Sequence, residues 1–256
     1  AHGRSVRVIR SRSKQPKPMI GSAPCFNTYY PQTNRPEDIE AARRMMFEAR
    51  GRDMFHAPLS LDPPLKGSYP EDVLKFWGED APVIHDGDLE LIAQELDFVG
   101  INIYGSGMVR AGSNGEPEVV PYGSDYPHTF FNWPITPDGI RWASKFLHER
   151  YGKPVVITEN GLANMDWVSV DGKVHDPQRI DFMTRTLRAL RQSVDEGVPV
   201  LGYFHWSIMD NFEWAEGYRM RFGLIHMDYA TQKRTIKDSG YWYRDLIRSG
   251  GNILPP

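Results

Sequence analysis

Four apolar runs punctuate the chain: PMIGSAPCF (18–26), LDFVGINIY (96–104), PVVIT (154–158) and PVLGYFHWS (199–207). Each is followed by polar loop and then by helical pattern, which predicts strands alternating with helices. The runs are too continuous for one-sided amphipathic strands. Both faces are therefore expected to be covered, as in a parallel sheet of the α/β class.

The helical segments carry readable ends. NRPEDIEAARRMMFEARG places Pro36 in the first turn, acids behind it, and Gly51 as the expected stop. TPDGIRWASKFLHERYG starts with Thr136 as cap and Pro137, and ends at Gly152; DPQRIDFMTRTLRALRQSVDEG repeats the device with Asp176, Pro177 and Gly197. A last helix is expected from about Lys237 to Ser249, with Tyr241, Trp242, Leu246 and Ile247 near helical spacing. Long insertions follow the strands. GSGMVRAGSNGEPEVVPYG (105–123) reads as an exposed hairpin turning at Asn114-Gly115, and RFGLIHMDYATQKR as a second hairpin.

The sum is β-α four times over. In 256 residues the units average about 64 residues each, twice the spacing of a compact eight-fold barrel of roughly 250 residues. Four such strands leave two open sheet edges. Either the sheet is small and open, or it is half of something closed.

Three stretches carry candidate chemistry. In PVVITENGLA (154–163) a strand runs straight into Thr158, Glu159, Asn160 and Gly161. Glu159 should face the loop side of the sheet, as a catalyst or as a simple loop acid or cap. An Asn-Gly pair allows an abrupt turn that would hold the acid forward. In DFVGINIYGS (97–106), Asn102 and Tyr104 share strand parity and point to one face. A tyrosyl hydroxyl there could hydrogen-bond to a nearby carboxylate, or be satisfied by backbone. In YFHWSIMDNFEWAEGYRMRFG (203–223), Trp206, Phe212, Trp214, Tyr218 and Phe222 alternate with Asp210, Asn211, Glu213 and Glu216. Taken singly, Trp206 or Phe212 reads as core. Acids and amides among Trp residues suit a pyranose, which has apolar faces to stack and a rim of hydroxyls to grip.

Composition narrows the classes. The net charge of −3 gives no electrostatic reason to expect nucleic acid or an anionic membrane as partner. No apolar run approaches the roughly 18 residues of a membrane span. The eight histidines show no metal-ligand spacing, and His205 reads as a strand residue rather than a base. GxSxG elbows, phosphate loops and dinucleotide fingerprints are absent, so neither metal nor cofactor is expected. A single cysteine, Cys25, suits a reducing compartment, and a cytoplasmic location is expected. The basic opening AHGRSVRVIRSRSKQPK lacks the apolar core of a secretory signal. It reads as a solvated helix with Val6, Val8 and Ile9 on its apolar side, a mitochondrial transit peptide being the alternative. Without an initiator Met, the chain is expected to be a processed, cut or partial product.

Taken together, these stretches resemble glycoside hydrolase family 1, the retaining β-glucosidases and β-galactosidases. The resemblance covers nearly the whole chain and aligns it with the C-terminal half of that family's (β/α)8 TIM barrel. VVITENG resembles the nucleophile strand, YFHWSIMDNFEWAEGY the glycone-binding strand and loop, and RFGLIHMDYATQKRTIKDSGYWY the closing segment. The resemblance implies that residues 1–256 are the C-terminal four β/α units of one barrel domain. It implies Glu159 as nucleophile with Tyr104 hydrogen-bonded to it and Asn102 nearby. Trp206 would floor the sugar subsite, Glu213 would grip glycone hydroxyls, and Trp214 would contact its neighbour through the indole N–H. Phe222 would wall the pocket and Trp133 line the aglycone entrance. Keeping Glu213-Trp214 implies a neutral, unphosphorylated β-glycoside as substrate.

One departure stands out. A retaining glycosidase needs a second carboxyl roughly 5–5.5 Å from the nucleophile. In this family it lies in an Asn-Glu-Pro motif ending the fourth strand, and the chain has none. Asn114-Gly115-Glu116-Pro117, in a polar hairpin, is a poor substitute. The resemblance therefore implies an N-terminal half-barrel as partner, supplying the acid/base. The alternative is a catalytically inactive half-barrel that folds or self-associates and at most binds sugars.

Overall fold

The structure is a computed structural model that describes residues 1–255. Its helices are α1 (His2–Arg12), α2 (Pro36–Phe47), α3 (Ala57–Lys66), α4 (Glu71–Trp77), α5 (Asp88–Ile92), α6 (Asp138–Tyr151), α7 (Pro177–Asp195) and α8 (Asp238–Arg248). Its strands are β1 (Gly21–Ser22), β2 (Tyr29–Pro31), β3 (Phe98–Asn102), β4 (Gly107–Ala111), β5 (Pro117–Val120), β6 (Val155–Asn160), β7 (Val200–His205), β8 (Ile225–Met227) and β9 (Arg234–Ile236). The four apolar runs become β1, β3, β6 and β7, which pair in parallel in that order as one sheet. Sequential parallel strands, each followed by a helix, form an arc of a (β/α)8 barrel. The arc has β1 and β7 as its open edges among the described residues.

The core lies between this sheet and the helices behind it. Val99, Ile101, Val155 and Ile157 from the strands meet Ala42 and Met46 of α2, Ala143, Phe146 and Leu147 of α6, and Leu190 of α7. Burying such side chains contributes about 1.5–3 kcal/mol each before entropy is charged against it.

Several expectations need correction. The run at 18–26 supplies only the two-residue β1: Pro18 and Pro24 lack the N–H a longer ladder needs. The β7 strand is not covered on both faces, since Leu201 is 51% and Phe204 61% exposed at the sheet edge. Helix α2 stops at Phe47 rather than running to Gly51; Glu48 is already extended and the Ala49 N–H is taken by the Asp72 carboxylate. The Thr136 side chain does not cap α6 but accepts the Ser106 N–H at 2.8 Å, and Asp176 makes no side-chain cap on α7. The 105–123 hairpin forms as β4–β5 around Gly115 at φ 78°, and β2 adds to β4 in parallel. In the basic opening, α1 buries Val6 but leaves Val8 and Ile9 exposed. No described helix is long and apolar enough to cross a membrane.

Candidate active site

Glu159 is the penultimate residue of β6, at the C-terminal end of the sheet, where barrel enzymes carry their sites. A register shift between Ile101 and Asn102 sets Asn102 opposite Glu159. Past that irregularity, the Tyr104 hydroxyl donates to Glu159 Oε2 at 2.6 Å. Burial, and then the Glu159 carboxylate itself, push the Tyr104 hydroxyl far above its usual pKa, so it stays a donor. Asn102 Oδ1 accepts from the Thr158 hydroxyl at 2.6 Å, which fixes the residue just before Glu159. Asn102 and Tyr104 do share one face, with Ile101 and Ile103 buried on the other.

Asn160 holds the strand end in place. Fully buried, it donates to the Ile103 carbonyl at 2.7 Å and accepts the Tyr203 hydroxyl at 2.8 Å, which ties β6 to both neighbours. Gly161 serves a different purpose from the abrupt turn expected of it. Its φ is not in the left-handed region, but a Cβ there would lie 1.9 Å from the Trp206 carbonyl oxygen. Close approach of the β7 end to the Glu159 strand is what requires glycine.

Around Tyr104 stands an aromatic cluster. Trp133 lies 5.2 Å from the Tyr104 ring and stacks on Phe131 at 4.1 Å; Phe222, buried, lies 5.9 Å from Tyr104. Trp206 packs on the same cluster. A cavity of about 560 Å³ opens beside it, lined by Cys25, Asn102, Tyr104 and Trp133 among others. Glu213, half-buried, is raised in pKa by burial and by the Glu159 charge, against an opposing contact from the Trp206 side chain. Trp214 stands apart: it is 81% exposed at φ 43°, outside the cluster.

Glu116 is held elsewhere. It sits in the β4–β5 turn between Arg44 and Arg50, at 3.1 and 3.2 Å, and these guanidiniums keep its pKa below the usual carboxylate range. An acid that stays ionised cannot protonate a leaving group. His205 is also no base: burial, then the Arg179 and Lys237 charges, hold its pKa to about 3. Among the described residues no cluster of three or more His, Cys, Asp or Glu side chains could hold a metal ion.

Further groups support this arrangement. Phe131 lies two residues before Trp133, and its stacking was not legible from spacing. Behind the loops Asp166, Asp176, Arg179, Asp210, Arg221 and Lys237 form a charged cluster, although the sequence reads Asp176 as a cap, Asp210 as one acid of the aromatic stretch and Lys237 as a helix start.

Residues 1–252 match the model of "Glycosyl hydrolase family 1". The chain is 45% identical to a 1,4-beta-D-glucan glucohydrolase of Thermotoga neapolitana, covering 98% of this chain and 55% of that protein. To beta-glucosidase A of Thermotoga maritima it is 43% identical, with the same coverage. Among solved structures, the family 1 β-glucosidase from Thermotoga maritima superposes with a TM-score of 0.80 at 40% identity, covering 98% of this chain and 55% of that one. The same enzyme in complex with deoxynojirimycin gives 0.80 and 40%, covering 98% and 54%. The chain thus spans about half the length of the curated relatives it matches. With its parallel arc of strands and its match along almost its whole length, the chain belongs to glycosyl hydrolase family 1.

Proposed function

We propose that residues 1–256 are the C-terminal half of the barrel domain of a retaining β-glycosidase, β-glucosidase-like, acting on unphosphorylated β-D-glycosides. The observation that carries this reading is the 2.6 Å hydrogen bond from Tyr104 to Glu159 at the end of β6, inside an aromatic cluster. Glu159 attacks the anomeric carbon as the bond to the leaving oxygen breaks, giving a covalent glycosyl-enzyme. The leaving oxygen takes its proton from the acid/base of an N-terminal half. That same group then deprotonates the water that cleaves the ester and frees Glu159.

Trp206 offers the glycone an apolar face, and Glu213 accepts its hydroxyls in a bidentate grip. Trp133 lines the aglycone entrance, Phe222 walls the pocket, and Asn102, tied to Thr158, faces the substrate beside Glu159. The exposed Trp214 reaches a sugar by its indole N–H once the opposite wall is present. The relatives' names, β-glucosidase and 1,4-β-D-glucan glucohydrolase, support a glucose-configured β-linked substrate. The lone Cys25 supports a cytoplasmic location.

The test is turnover of an aryl β-glucoside by the purified chain, alone and with the N-terminal half supplied. Negligible hydrolysis alone, and hydrolysis at an enzyme's rate after assembly, is the expected result. Comparable turnover by the monomer alone would contradict it. No turnover even after assembly would favour an inactive half-barrel that folds or self-associates and at most binds sugars.

A further inference from the structure

Behind the candidate site, six charged side chains form a buried network that joins two loops. Asp166 lies on the loop after β6, seven residues past Glu159, and Asp210 lies on the loop after β7, between Trp206 and Glu213. Lys237 spans them, donating to Asp166 Oδ2 at 2.5 Å and Asp210 Oδ1 at 2.8 Å, with all three side chains inaccessible. Arg179 of α7 donates to Asp166 at 2.7 Å, pairs with Asp176, and reaches the Arg221 carbonyl at 2.8 Å and the Leu162 carbonyl at 3.3 Å. Arg221 donates to Asp210 Oδ2 at 2.7 Å. Three carboxylates therefore face three cations, with only Arg221 partly exposed, its side chain 20% accessible. Arg179 and Lys237 hold Asp166 ionised, against the effect of its burial. Such a network is costly to break at one member, because it strands a partner's charge.

Asp210 occupies the critical place. Its Oδ1 accepts the Gly223 N–H at 2.9 Å, and its own N–H donates to the Ile225 carbonyl at 2.9 Å. Ser207 and Leu224 close the same stem, by Ser207 N–H to Phe222 at 3.2 Å and Leu224 N–H to Ser207 at 3.0 Å. A Cβ on Gly223 would lie 2.1 Å from the Asp210 nitrogen, so the stem is as tight as backbone allows. Glu213 and Trp214 project from this stem, and Trp206 and Phe222 flank it.

We propose that Asp210 is a positioning residue: through Lys237 and Asp166 it fixes the Trp206–Phe222 loop, with Glu213 on it, at a set distance from the Glu159 strand, and so sets affinity for the glycone. This rests on the functional reading above. A merely structural salt-bridge cluster would lower stability and nothing else, so a comparison cluster is needed. Asp62 provides one, buried with Arg150 at 2.8 Å and Tyr151 at 2.6 Å where α6 ends and before β6 begins, at the opposite end of the sheet.

Asp210→Asn keeps an oxygen for the Gly223 N–H but removes the charge facing Lys237 and Arg221. In the assembled enzyme it should raise the Kd of a glucose-configured iminosugar, and KM for an aryl β-glucoside, by about tenfold, with kcat within about threefold. Asp62→Asn should lower the melting temperature without moving either constant. Hydrogen exchange on the chain alone should show lost protection confined to residues 206–227 for Asp210→Asn. Unchanged Kd and KM at a lowered melting temperature would overturn the proposal, as would loss of protection spread over the whole chain. Should the wild-type assembly bind no glycone analogue, the functional reading falls, and the exchange pattern alone then decides the positioning claim.

Discussion

Glu159→Gln in the assembled enzyme is expected to lower kcat for an aryl β-glucoside by at least about 10⁴-fold while leaving binding of a glucose-configured iminosugar within a few fold. Glutamine keeps the shape and can still receive the Tyr104 hydroxyl at its amide oxygen, the contact now made at 2.6 Å. It cannot attack the anomeric carbon. The same variant carries an electrostatic signature. The Glu159 charge is one of two causes that raise Glu213, the larger being burial. Ionised Glu213 is the form that accepts sugar hydroxyls, so affinity falls as pH drops through its raised pKa. Removing the Glu159 charge lowers that pKa part of the way back, and the acid limb of the iminosugar titration should move to lower pH. A limb that stays put or moves up would separate the two carboxylates.

Tyr104→Phe should cost about 10- to 100-fold in kcat/KM, the worth of one hydrogen bond to a charged group. The phenyl ring preserves the packing against Trp133 and Phe222, at 5.2 and 5.9 Å, so the fold should lose little. What disappears is the donor that orients Glu159 Oε2. Steady-state kinetics with matched melting curves tests this. An unchanged kcat/KM would mean that the hydroxyl only satisfies a buried group.

How much of this was legible from the residues follows from what each signal depends on. The four strands of the sheet announced themselves because continuous apolar runs are what two-sided burial demands. Their order in space followed from sequential parallel connection. Strand parity and strand ends account for the placement of Glu159, Tyr104 and Asn102 at one end of the sheet, while their roles rest on the resemblance to the family. The weak points were tertiary. The edge strand β7 exposes Phe204 and Leu201, and an apolar run reads the same with or without a neighbour.

Helix α3 is not legible in APLSLDPP (57–64), because its prolines normally argue against a helix. Pro63 and Pro64 nonetheless sit inside it. The Asp166–Lys237–Asp210 cluster was illegible for another reason. Each residue alone resembles an ordinary surface charge, and only the fold brings positions 71 and 27 residues apart onto one ammonium. Gly161 was noticed for its neighbour Asn160, whereas its requirement comes from Trp206, distant in sequence.

The claim that Glu159 is the nucleophile is tested most directly by trapping the covalent intermediate. The assembled enzyme is inactivated with a 2-deoxy-2-fluoro-β-glucoside bearing a good leaving group, digested, and its labelled peptide sequenced by mass spectrometry. The fluorine slows both steps by opposing the oxocarbenium-like transition state, and the leaving group lets the intermediate accumulate. The account predicts one adduct, an ester on Glu159. An adduct on any other residue, Glu213 included, would contradict it.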